Sequence, residues 1–312
     1  MAWFQPFSLE PLSRFELIGL LFSIAIYNGI TLPVSFPGVL YLKLIGKAVQ
    51  PHHISEGWPD LVKSFQFLLS CEDDVGDILS RGYEFSFEAR GLIININMDA
   101  VKSEFDVPSP YTMLDDDSVE ITPSPSNPTP IVNWPPGTEA PLVTNANREQ
   151  FVCDYVAWLT DKSIRPQYEA FARGFHACLP PEHVALLRPS LLQHIVEGST
   201  NIDTHALERV ARYDGGFDAQ HPFVHTFWEV VHAMSQEQKR KLLEFVTASD
   251  RVPVAGIESV VFWVQRNGPD GEGLPTSSTC FGRLLLPEYD GKEKLETKLA
   301  IALENSRGFG AA

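Results

Sequence analysis

Nine of the chain's 24 prolines fall between residues 103 and 143, and that density limits what the chain can fold into more than any other feature. Proline lacks the N–H that a helix interior or a central strand needs, so no long regular element can run through this stretch. It also carries Asp115-Asp116-Asp117 and the run from Thr122 to Pro130, which alternates proline with small polar residues. Such a composition buries too little apolar surface to offset the entropy of ordering it. The segment 103–143 reads as a disordered surface insertion. Its serines and threonines are open to phosphorylation, as those of many loops are. The folded body must be assembled from what lies on either side.

On the N-terminal side, Phe15, Ile18, Phe22 and Ile26 recur at helical steps, which predicts a mostly buried helix over 16–30 stopped by Asn28-Gly29. A short helix follows over 39–45. From Pro59, the stripe Leu61, Phe65, Leu68 and Leu69 predicts another, ended by Glu72-Asp73-Asp74. Alternation from Tyr83 and the β-branched run from Leu92 predict a hairpin over 82–98. After the insertion, Thr144-Asn145 can cap a helix carrying Phe151, Tyr155, Trp158 and Leu159. A second begins near Pro166 and stacks Tyr168, Phe171 and Phe175, and a third runs from His183 to Val196. The polar break from Glu197 to Asn201 marks a domain boundary.

Beyond that break, helices are predicted over 202–213 and 221–234. Ser235 and Gln238 form a capping-box pair opening another through Phe245. Strands over 257–265 and 283–286 and a final helix over 292–305 complete a small α+β lobe. The fold class expected for the chain is therefore α+β. At 312 residues it buries a sizeable core without disulfide or metal staples.

A formal charge of −16 excludes general affinity for a phosphate backbone and favours a basic protein partner. The most apolar stretch, Leu17 to Tyr27, is about half the length of a membrane-spanning helix, and no basic leader or small-residue cleavage pattern surrounds it. Neither a membrane nor a nucleic acid is an expected partner. Four cysteines lie far apart with no CxxC pair, which fits a reducing compartment, cytoplasmic and also nuclear.

Phosphate loops, dinucleotide fingerprints, HExxH and GxSxG are all missing from the sequence. His52-His53 reads as a solvated pair, and the remaining histidines show no repeated ligand spacing, so no metal and no cofactor is expected. Among the cysteines, Cys153 and Cys178 sit in aromatic-rich helical segments, where a thiol is ordinarily a small core hydrophobe. Cys71 ends a helix beside three acids, a poor setting for a nucleophile. Cys280 follows the small, polar segment from Gly271 to Thr279 and precedes an apolar strand, which presents it on a loop. From these residues alone, Cys280 remains open between nucleophile and structural cysteine.

The string LPTSSTCFGRLLLPEY around Cys280, with RVPVAGIESV at 251–260, YDGGF at 213–217, FWEVV at 227–231 and the tail GFGAA, resembles the C-terminal part of HECT-type ubiquitin ligases. Residues 14–46 and 167–180 resemble segments of that family's N-lobe, closest to the branch of the E6-associated protein. The resemblance implies a bilobal HECT fold: a mainly helical N-lobe, a hinge and a small α/β C-lobe. It implies a partial large subdomain over 1–56 and a small subdomain over 57–162 that binds the ubiquitin-conjugating enzyme. The remaining N-lobe then lies over 163–197, the hinge over 198–201 and the catalytic C-lobe over 202–312.

Carried over by position, the resemblance makes Cys280 the thioester-forming cysteine, preceded by Thr279, and Phe309 the tail residue that assists transfer. The conjugating enzyme's groove would take its apolar contacts from Leu61, Phe65, Leu68, Tyr83 and Phe151, residues whose ordinary role is core packing. Implied partners are ubiquitin, a conjugating enzyme and a protein substrate. Two departures accompany this. Ser278 stands where many relatives carry a histidine, and the likeness begins in mid N-lobe, which would leave apolar surface of the Leu17 to Tyr27 helix exposed. The alternatives are a shortened HECT-like protein that binds the conjugating enzyme without catalysis, and a cysteine hydrolase pairing Cys280 with a distant histidine.

Overall fold

A computed structural model describes residues 1–6, 8, 10–89, 91–101, 121–122 and 131–305. They gather into two compact units: Met1–Ile24 with Ser35–Leu192, and Ala25–Val34 with Gln193–Ala312. Both are mixed α and β, as the sequence predicts.

In the first unit, helix α1 (Leu12–Tyr27), of which the part up to Ile24 belongs to this unit, crosses a later helix (Arg165–Phe175) at two glycines. A Cβ built on Gly19 would lie 1.9 Å from the Phe171 carbonyl oxygen, and one on Gly174 would lie 1.9 Å from that of Glu16. Backbones can approach this closely only where neither residue has a side chain. Phe22 then meets Phe171 edge to face at 5.2 Å. The expectation that this helix is mostly buried fails. Its inner face in this unit is one row of residues, Gly19, Phe22 and Ser23, while Leu17, Ile18, Leu21 and Ile24 face outward.

The rest of this unit surrounds a four-stranded sheet. Helices α2 (Gly38–Leu44), α3 (Pro59–Ser70) and α4 (Val75–Leu79) precede strands β1 (Glu84–Ala89) and β2 (Leu92–Asn97), which pair antiparallel as the predicted hairpin. Strands β3 (Ile121–Thr122) and β4 (Ile131–Trp134) complete the order β1-β2-β4-β3, with β4 parallel to β2. The C-terminal end of the proline-dense segment is therefore ordered, contrary to its reading as one disordered insertion. Val132 and Val143 are buried, and two apolar anchors on strand-forming sequence outweigh the surrounding prolines. Residues 102–120 and 123–130 of that segment lie outside the described residues.

Helix α5 (Arg148–Thr160) lays Phe151, Val152, Val156 and Trp158 on the sheet, where Trp158 stacks with Phe85 at 6.0 Å. Its entry is set by Asn147, whose side-chain oxygen accepts from the Thr144 N–H at 2.7 Å. Asn145, one of the two expected caps, instead accepts from the Val75 N–H and holds α4. Helix α6 is the Arg165–Phe175 helix described above. The single helix predicted over 183–196 is two, α7 (Pro181–Val184) and α8 (Pro189–Glu197), because Pro189 cannot continue a helix from the residue before it.

The second unit is built on the sheet order β5-β6-β8-β7. Strands β5 (Arg212–Asp214), β6 (Trp263–Arg266) and β8 (Arg283–Leu286) run parallel, and β7 (Thr276–Ser278) is antiparallel to β8. Residues 257–259, expected as strand, form a 3-10 turn. Helices α9 (Thr204–Val210), α10 (Pro222–Ala233), α11 (Gln236–Thr247) and α12 (Lys292–Asn305) belong to this unit. Its core joins Phe227, Trp228 and Val231 of α10 to Leu242, Leu243 and Val246 of α11, Leu284 and Leu286 of β8, and Leu295 and Leu299 of α12. The predicted capping box opens α11: Ser235 Oγ accepts from the Gln238 N–H, and the Gln238 side chain accepts from the Ser235 N–H at 2.9 Å. Residues 198–201 fall inside this unit, where Ser199 and Val252 exchange both backbone hydrogen bonds.

Candidate functional site

Cys280 lies in a one-turn 3-10 helix, Thr279–Phe281, that joins β7 to β8 at the edge of the second unit's sheet. The turn is fixed from three sides. Gly282, in the left-handed region at φ 58°, returns its N–H to the Thr279 carbonyl at 3.2 Å, and its own carbonyl accepts from the Trp263 N–H at 2.7 Å. On the strand side, Ser278 pairs with Arg283 and Ser277 with Leu284. Arg283 itself is held by Asp214 at 3.0 Å and by the Gln265 side chain at 2.7 Å.

The approach to β7 is clamped as well. Lys294 meets Asp270 at 3.0 Å, and Lys298 meets Glu272 at 2.7 Å. The Lys294 ammonium, with the Asp290 N–H, holds the Asp270 carboxyl below the usual carboxylate range, and Lys298 does the same for Glu272. Tyr289 donates to the Gly273 carbonyl at 2.6 Å, and burial raises its phenol to about 12. The result is a solvent-exposed thiol on a rigid support, flanked by the exposed residues Thr279 and Phe281. Phe281 is 67% exposed, an unusual position for so large an apolar ring.

Exposure does not single Cys280 out. Cys153 and Cys178, expected in the core, are also exposed, because each lies on the outward side of its segment. Cys71 is half-buried. Cys280 differs in its setting, an edge-strand turn rather than a helix face (Cys153), a helix end (Cys71) or the bend after a helix (Cys178).

In the first unit, an open groove of about 740 Å³ runs between α3, α4 and β1. Phe65, Phe67, Leu68, Leu79, Arg81 and Phe151 line it. Three of the five residues expected in a groove, Phe65, Leu68 and Phe151, lie beneath it as buried core residues. Leu61 packs half-buried against the same core. Tyr83 is buried against Phe151 at 5.4 Å and donates to Asp154 at 2.7 Å. The apolar atoms offered to solvent come instead from Phe67 and Leu79, which the sequence reading did not name. Glu84 also lines the groove, its carboxyl raised by burial against the pull of Arg81. Phe309 lies outside the described residues.

The family model described as HECT-domain (ubiquitin-transferase) matches residues 1–312. The chain belongs to the HECT-domain family. Curated relatives of this HECT chain include the mouse protein "Probable E3 ubiquitin-protein ligase HECTD2", 33% identical over 99% of this chain and 37% of that protein. The human "Probable E3 ubiquitin-protein ligase HERC4" is 33% identical over 99% of this chain and 26% of its own length. The Eremothecium gossypii "Probable E3 ubiquitin-protein ligase HUL4" is 32% identical over 95% of this chain and 32% of its own. The HECT chain thus spans about a third of the length of these relatives. Among its described residues, no helix is long and apolar enough to cross a membrane.

Proposed function

We propose that this chain is a ubiquitin ligase that takes ubiquitin from a conjugating enzyme as a thioester on Cys280 and passes it to lysines of a protein substrate. The observation that carries the reading is an exposed cysteine on a braced edge-strand turn, in a chain that the HECT model matches from end to end.

In the first step, the Cys280 thiolate attacks the carbonyl carbon of ubiquitin's C-terminal thioester, a new C–S bond forms, and the conjugating enzyme's thiolate leaves. Exchange between similar thiols is nearly balanced in energy, so the protein has little acid–base work to do. In the second step, a lysine amine attacks the same carbon, Cys280 leaves as thiolate, and the amine's proton passes to solvent. Placement supplies the rate, which is the use of a stiff turn. Backbone N–H groups of Thr279 to Phe281 would face the developing oxyanion.

The conjugating enzyme is assigned to the groove of the first unit, with Phe67 and Leu79 as its apolar contacts beside Phe65, Leu68 and Phe151. Glu84 supplies a carboxylate there for a basic residue of the partner, consistent with the chain's net charge of −16. The two units take the roles of N-lobe and C-lobe in a bilobal arrangement, with residues 198–201 as hinge and Phe309 assisting transfer. A place nearest the E6-associated protein branch rests on the residue strings alone. The setting is a reducing one, cytoplasm or nucleus.

The test is to mix the chain with activating enzyme, conjugating enzyme, ATP and ubiquitin. The wild type should form a reductant-sensitive adduct, Cys280→Ser a reductant-resistant oxyester, and Cys280→Ala none. An adduct that survives in Cys280→Ala overturns the assignment. Binding of the conjugating enzyme without any adduct in the wild type selects the non-catalytic alternative.

A further inference from the structure

The fold brings together three ligand-type side chains that the sequence leaves apart. His205 and Glu208 stand three residues apart on α9, hence on one face, and His232 comes from the last turn of α10. One ligand atom from each lies within 4.8 Å of the other two. Among the described residues, no other group of three His, Cys, Asp or Glu meets that condition.

The centre of the group is built before any ion arrives. His232 Nε2 lies 2.8 Å from the Glu208 carboxylate, and its Nδ1 lies 2.9 Å from the Thr204 hydroxyl, a residue that is itself buried. The His232 ring stacks with His205 at 3.8 Å and with Trp228 at 5.9 Å. A ligand imidazole whose second nitrogen is held by a polar neighbour is the usual second-layer arrangement of protein metal sites.

We infer that His205, Glu208 and His232 form a binding site for a zinc-class divalent cation, which would tie α9 to α10. Two imidazoles and one carboxylate suit zinc, whereas magnesium and calcium call for oxygen-rich sets. Bond lengths of about 2.1 Å place the ligand atoms of a tetrahedral zinc about 3.4 Å apart. The remaining gap would be closed by rotation of the His205 side chain, which is exposed. When the ion takes Nε2 of His232, the proton on that nitrogen is replaced by one on Nδ1, which then donates to Thr204 Oγ1. Three protein ligands leave a fourth position for water. The inference is independent of the role given to Cys280.

The test uses the untagged full chain under reducing conditions and titrates it with cobalt(II), then with zinc. One cobalt should bind per chain with the weak visible bands of nitrogen and oxygen ligation and without the intense near-ultraviolet bands of thiolates. Zinc should displace it and raise the melting temperature. His205→Ala, at an exposed position, and Glu208→Gln, which keeps a hydrogen-bond acceptor for His232, should each weaken zinc binding by at least about tenfold, and Thr204→Val by about tenfold. If the wild type takes up no cobalt, or His205→Ala binds as tightly as the wild type, the cluster is only a hydrogen-bonded clamp and the inference falls.

Discussion

The α-carbon of Gly282 is pressed against the backbone of Val261: a methyl group there would lie 2.2 Å from the Val261 carbonyl oxygen. Two residues after the candidate nucleophile, this contact sets how far the turn stands off the sheet. Gly282→Ala adds a left-handed non-glycine residue and an overpacked contact, together about 2 to 4 kcal/mol of destabilisation. Urea unfolding should report that loss, and ubiquitin loading of Cys280 should slow. A variant as stable as the wild type would contradict the close contact.

Phe65 and Phe67 lie two residues apart on α3 and should separate packing from docking. Phe65 is 5% exposed, so Phe65→Ala should cost about 3 to 5 kcal/mol of stability. Phe67 is 56% exposed, so Phe67→Ala should change stability by no more than about 0.5 kcal/mol. The same Phe67 change should weaken binding of the conjugating enzyme by about fivefold or more. Calorimetric titration showing unchanged binding would remove the groove from the proposed function.

Where α1 crosses α6, Gly19→Ala and Gly174→Ala each place a carbon 1.9 Å from a carbonyl oxygen. Alanine is the better helix former by about 1 kcal/mol, so a helix without this crossing would be stabilised. Here each change should instead cost about 3 kcal/mol, since the helices must part. Thermal denaturation gives the sign directly, and the double variant should cost less than the sum because one separation relieves both clashes.

Asp270 and Glu272, hydrogen-bonded to Lys294 and Lys298, have carboxyls depressed in the folded chain. A depressed acid contributes above its unfolded value, about 4, and loses that contribution as pH falls through the folded value. The clamp before β7 should therefore be constant across neutral pH and release only in acid. Carboxyl-carbon NMR titration should place both midpoints below those of free side chains, and Lys298→Met should raise the Glu272 midpoint. An unmoved midpoint would mean that the ion pair does not form in solution.

Long periodic elements and local chemistry were legible in the sequence. The capping box at Ser235 and Gln238, the 84–97 hairpin and α12 were each announced by spacing that only one structure satisfies. Strands β5 and β7, three residues each, carry too little pattern to stand out and exist because their neighbours pair with them. The groove residues rest on the family resemblance and not on a pattern in the chain. Stripe residues of α3 point to the core by their periodicity, so the rule that found Phe65 and Leu68 passes over Phe67. The signal was there: an apolar residue off the stripe of an amphipathic helix has no core to enter. Cys153 was misplaced for the converse reason, since apolar neighbours in sequence are not neighbours in space on a helix, and Cys178 because α6 ends at Phe175 and leaves it on the bend that follows. The meeting of His205, Glu208 and His232 depends on how α9 packs against α10, which no local pattern encodes.

The parallel pairing of β2 with β4 sets a rule for the proline-dense segment between them. After Asn97 the chain must travel back along the sheet before Ile131 can lie beside Ile93, so the connection has a minimum length. Above that floor, doubling its length costs only about 0.6 kcal/mol in closure entropy. Because β3 (Ile121–Thr122) lies within this connection and pairs with β4, an affinity handle or a fluorescent reporter spliced into it must leave that pairing in place. Trimming it is the riskier operation, because a deletion below the floor would pull β4 out of the sheet and take Val132 from the core that supports the groove.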